Sequence, residues 1–171
     1  MLRIERVEGY HDLGRFIHVP WSVYADDPCW VPPLKLERRL HFSRHNPYFQ
    51  HADWAAWIAY RGKQPVGHLS AQIDRLSLER HADNTGSFGL IEAEDNQSTF
   101  EQLFEVAEQW LRDEGMVRVR GPFNLSINDE CGLLVEGFDT APSIMMGHAR
   151  AYYREHVEAC GYKKAVDVFA Y

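Results

Sequence analysis

Residues 98–115 read STFEQLFEVAEQWLRDEG, and this stretch organises everything around it. Phe100, Leu103, Phe104, Ala107, Trp110 and Leu111 recur at the three- and four-residue steps that place side chains on one face of an α-helix. Glu101, Glu105, Glu108, Arg112 and Asp113 fall on the opposite, wet face. Gly115 ends the pattern as a C-terminal stop. At the other end, Ser98 and Glu101 have the S-x-x-E spacing of a capping box. An amphipathic helix of this length needs an apolar surface to pack on, and the preceding chain supplies strands. Asp53–Tyr60 and Pro65–Asp74 read as a β-hairpin turned by Arg61-Gly62-Lys63-Gln64. After a polar excursion through Arg80 to Thr85, Ser87–Ala93 reads as a third strand leading into the helix.

Further out, Leu2–Val7 alternates as a strand, and Asp12–Tyr24 has helical spacing in Leu13, Phe16, Ile17 and Trp21. Asp27-Pro28 and Val31-Pro32-Pro33 break that helix. A second helix is expected from Pro33 to His41, and Asn46-Pro47 marks a turn. Beyond Gly115, Met116–Arg120 is a short strand broken by Gly121-Pro122. A long insert leads to a helix over Ala149–Cys160 and a last strand over Lys164–Tyr171. The expected order is β-α-α-β-β-β-α-β-α-β, an α/β (α+β) domain with a mixed, mainly antiparallel sheet. Strands and helices in this order do not make a doubly wound parallel sheet.

Composition narrows the classes. The 171 residues are 45% hydrophobic and 13% aromatic, which suits one globular core rather than a disordered or fibrous chain. A formal charge of -7, with no basic run, argues against a nucleic-acid partner. No apolar run approaches a membrane span, and Met1–Arg6 lacks a signal-peptide core, so a cytoplasmic location is expected. Cys29, Cys131 and Cys160 are scattered and odd in number, which fits a reducing compartment. His41, His45 and His51 have no Cys or Glu signature beside them and read as solvated, so no metal is expected.

Order and residues together resemble the GNAT (N-acetyltransferase) superfamily. Pro65-Val66-Gly67-His68-Leu69-Ser70 resembles its hairpin strand, residues 98–115 its long helix, and Tyr152 to Tyr162 its shorter helix with a Gly-aromatic end. Asn46-Pro47-Tyr48-Phe49, Gly121-Pro122-Phe123-Asn124, Asn128 to Leu134 and Met145-Met146 resemble an uncharacterised bacterial subgroup of longer GNAT-like proteins. The resemblance implies a single GNAT-like domain over residues 1–171, or one half of a longer two-domain chain. It further implies an N-acyltransferase that moves an acyl group from acetyl-CoA or another acyl-CoA to a small-molecule amine. Gln97, Ser98 and Thr99 would meet the diphosphate at the helix N-terminus. The preceding Glu92–Gln97 stretch has no glycine, however, and a Ser98–Glu101 box would occupy the donors a phosphate needs. The family's tyrosine acid falls at Val157, so Tyr153, one turn earlier, is the acid candidate.

The segment from Gly121 to Gly137 is chemically the densest. Asn124, Ser126 and Asn128 are candidates to bind the acceptor, and Asp129 or Glu130 to act as base; the alternative is a loop whose Asn and Asp side chains hold turns. Cys131 with His148 is a weaker nucleophile pair, and His148 otherwise reads as a helix cap. The family ends in two strands where this sequence offers one. The rival reading is therefore a non-catalytic module, either pairing as a homodimer through the C-terminal strand or binding a small molecule.

Overall fold

The hairpin forms where the alternation places it. In the computed structural model of the protein, which describes residues 1–169, β1 spans Leu2–Arg6, β2 Ala52–Arg61 and β3 Gln64–Asp74. Gly62 turns the hairpin with φ of +66°, a backbone conformation glycine adopts without Cβ strain. β4 (Thr85–Ala93) and β5 (Arg118–Arg120) complete the sheet in the order β1-β2-β3-β4-β5. All neighbours are antiparallel except β4 and β5, which run parallel.

β3 is buried from Val66 to Ile73, with helices on both faces. Leu69, Ala71 and Ile73 point to the face covered by α4 (Gln97–Asp113). There they meet Phe100, Leu103, Phe104, Ala107 and Leu111, the stripe read from the sequence. Each fully buried Leu or Phe contributes about 1.5–3 kcal/mol, so this stripe is the main force holding helix to sheet. Tyr153 and Val157 of α5 (Tyr153–Ala159) join the same core. The other face packs under α1 (Gly9–Val23), through Phe16, Ile17 and Val19 against Ala56, Ile58 and Tyr60 of β2. On that face β3 presents His68, Ser70 and Gln72, which are polar yet buried. α2 is Lys35–His41, and a 3-10 turn over Pro47–Gln50 follows it, started by the Asn46 side chain accepting from Tyr48 N–H.

Four differences from expectation have physical causes. α3 (Arg75–His81) occupies residues without apolar helical periodicity; Asp74 caps it by accepting from the amides of Leu76 and Ser77. α5 starts at Tyr153 rather than Ala149. The Ser98–Glu101 capping box does not form. Helix α4 begins one residue earlier, with Asn96 at the cap and no side-chain cap bond. Ser98 Oγ instead accepts from Gln102 Nε2, and Glu101 accepts from Gln97 Nε2. The expected last strand is not found over Lys164–Phe169; Ala170 and Tyr171 lie outside the described residues. A strand needs a neighbour, and β5 pairs over only three residues before leaving the sheet. Val166 and Val168 are accordingly exposed. Among the described residues no helix is long and apolar enough to cross a membrane.

Candidate functional site

The parting of β4 from β5 makes the site. The two strands pair from Thr85↔Arg118 to Ser87↔Arg120. Phe123 N–H then donates to Phe88 O at 2.8 Å, and Gly89 lies so close that a Cβ there would fall 1.8 Å from Phe123 O. Past this point β4 bulges: Gly89 faces Ser70 and Glu92 faces His68, so Leu90 and Ile91 oppose Leu69 alone. Leu90 takes the left-handed φ of +50°, and its N–H is satisfied by Asn124 Oδ1 at 2.8 Å. A side chain from the insert thus replaces the missing strand. A cleft of about 290 Å³ opens here, joined by a smaller cavity of about 40 Å³; Leu90, Glu92, Asn124, Glu130 and His148 line both.

Glu92 sits at the inner end of the bulge. Its Oε2 accepts from Tyr24 OH at 2.5 Å and from Tyr153 OH at 2.7 Å. Burial pushes its carboxyl up to about 8, against the two phenol hydrogen bonds, which pull it down. At neutral pH Glu92 therefore keeps its proton. The same burial, joined by the charge Glu92 carries once it ionises, pushes Tyr24 and Tyr153 upward, so both hydroxyls stay protonated donors. Tyr153 is fully buried, accepts from Ala93 N–H and reaches the cleft only through Glu92; Tyr152 donates to Ala93 O.

Cross-strand from Glu92 is His68, and directly opposed residues on an antiparallel pair stand about 5 Å apart on one face. The orientation of His68 follows from Pro20, which lies inside α1 and has no N–H to give the carbonyl four residues earlier. That carbonyl, of Phe16, accepts from His68 Nδ1 at 2.9 Å. Burial lowers the imidazole to about 3, so His68 is neutral, with Nδ1 protonated and a buried Nε2 that has no hydrogen-bond partner.

On the far wall His148 Nε2 lies 2.8 Å from Asp27 Oδ2. Burial works to raise Asp27. Hydrogen bonds from His148 and the Cys29 N–H, with the charge of Arg150, outweigh it and hold the carboxyl below its ordinary value. Glu130 is held by Arg38 at 2.8 Å and by Asn124 Nδ2 at 2.9 Å. Apolar walls come from Phe16, Ile17, Trp30, Val31, Ile144, Met145 and Met146.

Of the residues singled out in the sequence, Asn124 and Glu130 line the cleft. Asp129 closes a turn, its Oδ2 accepting from Ser126 N–H and Oγ–H, while Ser126 Oγ accepts from Asn128 N–H. These three shape the loop and do not line either cavity. Gln97 ties α4 to α5 through His156, and Thr99 donates to Glu94. Glu94 also pairs with Arg61, and Asp95 with His156. Cys131 lines neither cavity. Sequence reading missed Glu92, His68, Tyr24 and Asp27. A lone Glu and a lone His inside two apolar strands were the available signals for the first two. Asp27 and His148, 121 positions apart in the chain, offered none.

A crystallised aminoglycoside acetyltransferase from an uncultured soil metagenomic sample superposes over 99% of this chain and 95% of its own. The TM-score is 0.57 with trehalose bound and 0.55 with sisomicin bound, at 14% identity. The chain has the GNAT fold. In this GNAT fold the splayed β4 and β5 and the two-helix cover of the sheet are the parts that build the cleft. No protein-family model matches the chain. Two curated relatives are each 48% identical over 94% of the chain: Protein YghO of Escherichia coli (strain K12) and Bacterial ceramide synthase of Caulobacter vibrioides. The chain spans less than half of either relative, 41% and 42% of their lengths.

Proposed function

We propose that this chain carries an acyl-transfer site, where an acyl group passes from a coenzyme A thioester to the nitrogen of an amine bearing an apolar chain. The observation that carries the reading is Glu92: a carboxyl pushed up to about 8, held between two phenols at the strand bulge, facing a cleft with both apolar walls and polar groups. A group titrating near neutral pH is suited to exchanging protons with reacting atoms. The fold of an acetyltransferase and the 48% identity to a protein named for ceramide synthesis support the same class.

In this reading Glu92 exchanges protons at the reaction centre, and Tyr153 acts only through it. Asn124 and Glu130 border the acceptor, while Ser126, Asn128 and Asp129 keep their loop in shape. The thioester's diphosphate end would meet the first turn of α4 at Gln97 and Ser98, where no side chain caps the helix; Thr99, on the same turn, is fully buried and its N–H already donates to Asn96 O. The carboxylates of Glu94 and Asp95 beside it are paired with Arg61 and His156, which reduces their repulsion of an anion.

The test is to supply palmitoyl-CoA and dodecylamine, reading free thiol and amide by mass spectrometry. Thiol and amide should appear together, and Glu92→Gln should slow both by about 10²-fold or more. Unchanged turnover in that variant, or no amide from the native protein, refutes the proposal.

A further inference from the structure

We infer that His148 Nδ1 is the atom that takes the proton from the attacking amine, with Asp27 as the residue that positions the ring. The inference rests on the acyl-transfer reading and goes beyond it by dividing the proton chemistry between two groups. Asp27 Oδ2 is an acceptor 2.8 Å from His148 Nε2, so Nε2 carries the hydrogen and Nδ1 keeps its lone pair. Nδ1 is buried and has no hydrogen-bond partner among the described residues, in a side chain only 5% exposed. An unpaired acceptor at that depth is costly to leave unmade, and the ring lines both cavities beside Glu92. Arg150 Nη1 stands 3.7 Å from the same Asp27 oxygen, and the Tyr24 ring packs 5.3 Å from the imidazole, so the dyad is braced on two sides.

Three other groups of the cleft are unsuited to this role. His68 already donates its one ring proton to Phe16 O, and burial keeps it from taking up a second at neutral pH. Glu130 is already paired with Arg38 and Asn124. Glu92 keeps its proton at neutral pH and is therefore an acid rather than a base. A carboxyl that holds its proton and an imidazole with a bare nitrogen, lining one cleft, have the makings of an acid and base pair.

The step balances as follows. The neutral amine nitrogen attacks the thioester carbonyl carbon, forming C–N, and its proton passes to His148 Nδ1. The carbonyl re-forms as the C–S bond breaks, and the sulfur takes the Glu92 proton. Products are amide and thiol, with imidazolium and carboxylate left in the cleft. The imidazolium proton returns to Glu92 through water, which restores both groups.

The experiment compares His148→Ala, His148→Gln and Asp27→Asn with the native protein, using palmitoyl-CoA and dodecylamine. His148→Ala should lower kcat by about 10²–10³-fold with KM for the thioester little changed, and added imidazole should restore part of the rate. Asp27→Asn should lower kcat about 10-fold or more and alter the acid side of the pH–rate profile, because the ring loses its fixed tautomer. Retention of kcat within about threefold in both His148 variants, with native melting behaviour, overturns the assignment. A nitrogen-15 NMR spectrum of the native protein decides independently of turnover. An Nε2–H tautomer with a bare Nδ1 supports the inference, and an Nδ1–H tautomer at neutral pH overturns it. Absence of any transfer, with the expected tautomer present, would count against the acyl-transfer reading itself.

Discussion

Replacing Glu92 by Gln should make the protein more stable above neutral pH, and by an amount that grows with pH. The native carboxyl titrates at about 8 in the folded chain against 4.5 for the free group, chiefly because burial disfavours its charge. A folded value raised above the unfolded one means the folded state holds a proton that the unfolded chain has released. Its stabilising contribution is therefore complete below about 4.5 and is lost as pH climbs through about 8. At about 1.4 kcal/mol per pH unit the ceiling is about 5 kcal/mol. Glu92 is half-buried at the cleft wall, which moderates the penalty, so we expect about 2–3 kcal/mol. Gln keeps an oxygen for Tyr24 and Tyr153 but does not ionise, so the variant lacks this loss. Urea denaturation of both proteins at about pH 5 and about pH 8.5, followed by tryptophan fluorescence, reads the difference directly. Other titrating groups are common to both proteins and largely cancel. A stability gap that is the same at both pH values, or that shrinks at the higher one, would mean Glu92 ionises like a surface carboxylate, and the chemistry assigned to it would fall.

Gly89→Ala should destabilise the fold by about 3 kcal/mol or more, since its Cβ would lie 1.8 Å from a backbone oxygen that cannot yield without moving the insert; a denaturation midpoint near native would contradict the close approach. Tyr24→Phe removes a 2.5 Å hydrogen bond that favours the Glu92 carboxylate, so the pH-dependent loss of stability should move to higher pH, and a move to lower pH would refute the contact. Leu103→Ala should cost about 2–5 kcal/mol in chemical denaturation, because the side chain is fully buried at the centre of the α4 stripe; a cost under about 1 kcal/mol would place that stripe outside the core.

Local pattern was enough for most of the framework, because periodicity reports directly which side chains seek the interior. The α4 stripe from Phe100 to Leu111 and the alternation through β3 were legible for that reason. Ends and short elements were less so. α3 has no apolar stripe and owes its start to the Asp74 cap, and Ser98 has capping spacing but lies inside a helix that begins at Gln97. The strand expected at Lys164 has the right alternation in Val166 and Val168, yet strand formation also depends on an edge to pair with, which no local pattern encodes.

The candidate site divides along the same line. Asn124 and Glu130 stood out in the sequence because polar residues cluster in their loop, and both line the cleft. Ser126, Asn128 and Asp129 share that composition but spend their hydrogen bonds on one another. The sequence by itself determined the layered α/β architecture, the central hairpin, the long helix and the likeness to the acetyltransferase fold. Only the tertiary structure decided that Glu92 keeps its proton, that Pro20 in α1 leaves a carbonyl for His68, and that Asp27 meets His148 across 121 residues. The physical reason is that protonation and tautomer depend on burial and on partners brought together from distant parts of the chain, whereas secondary structure is written largely in neighbours.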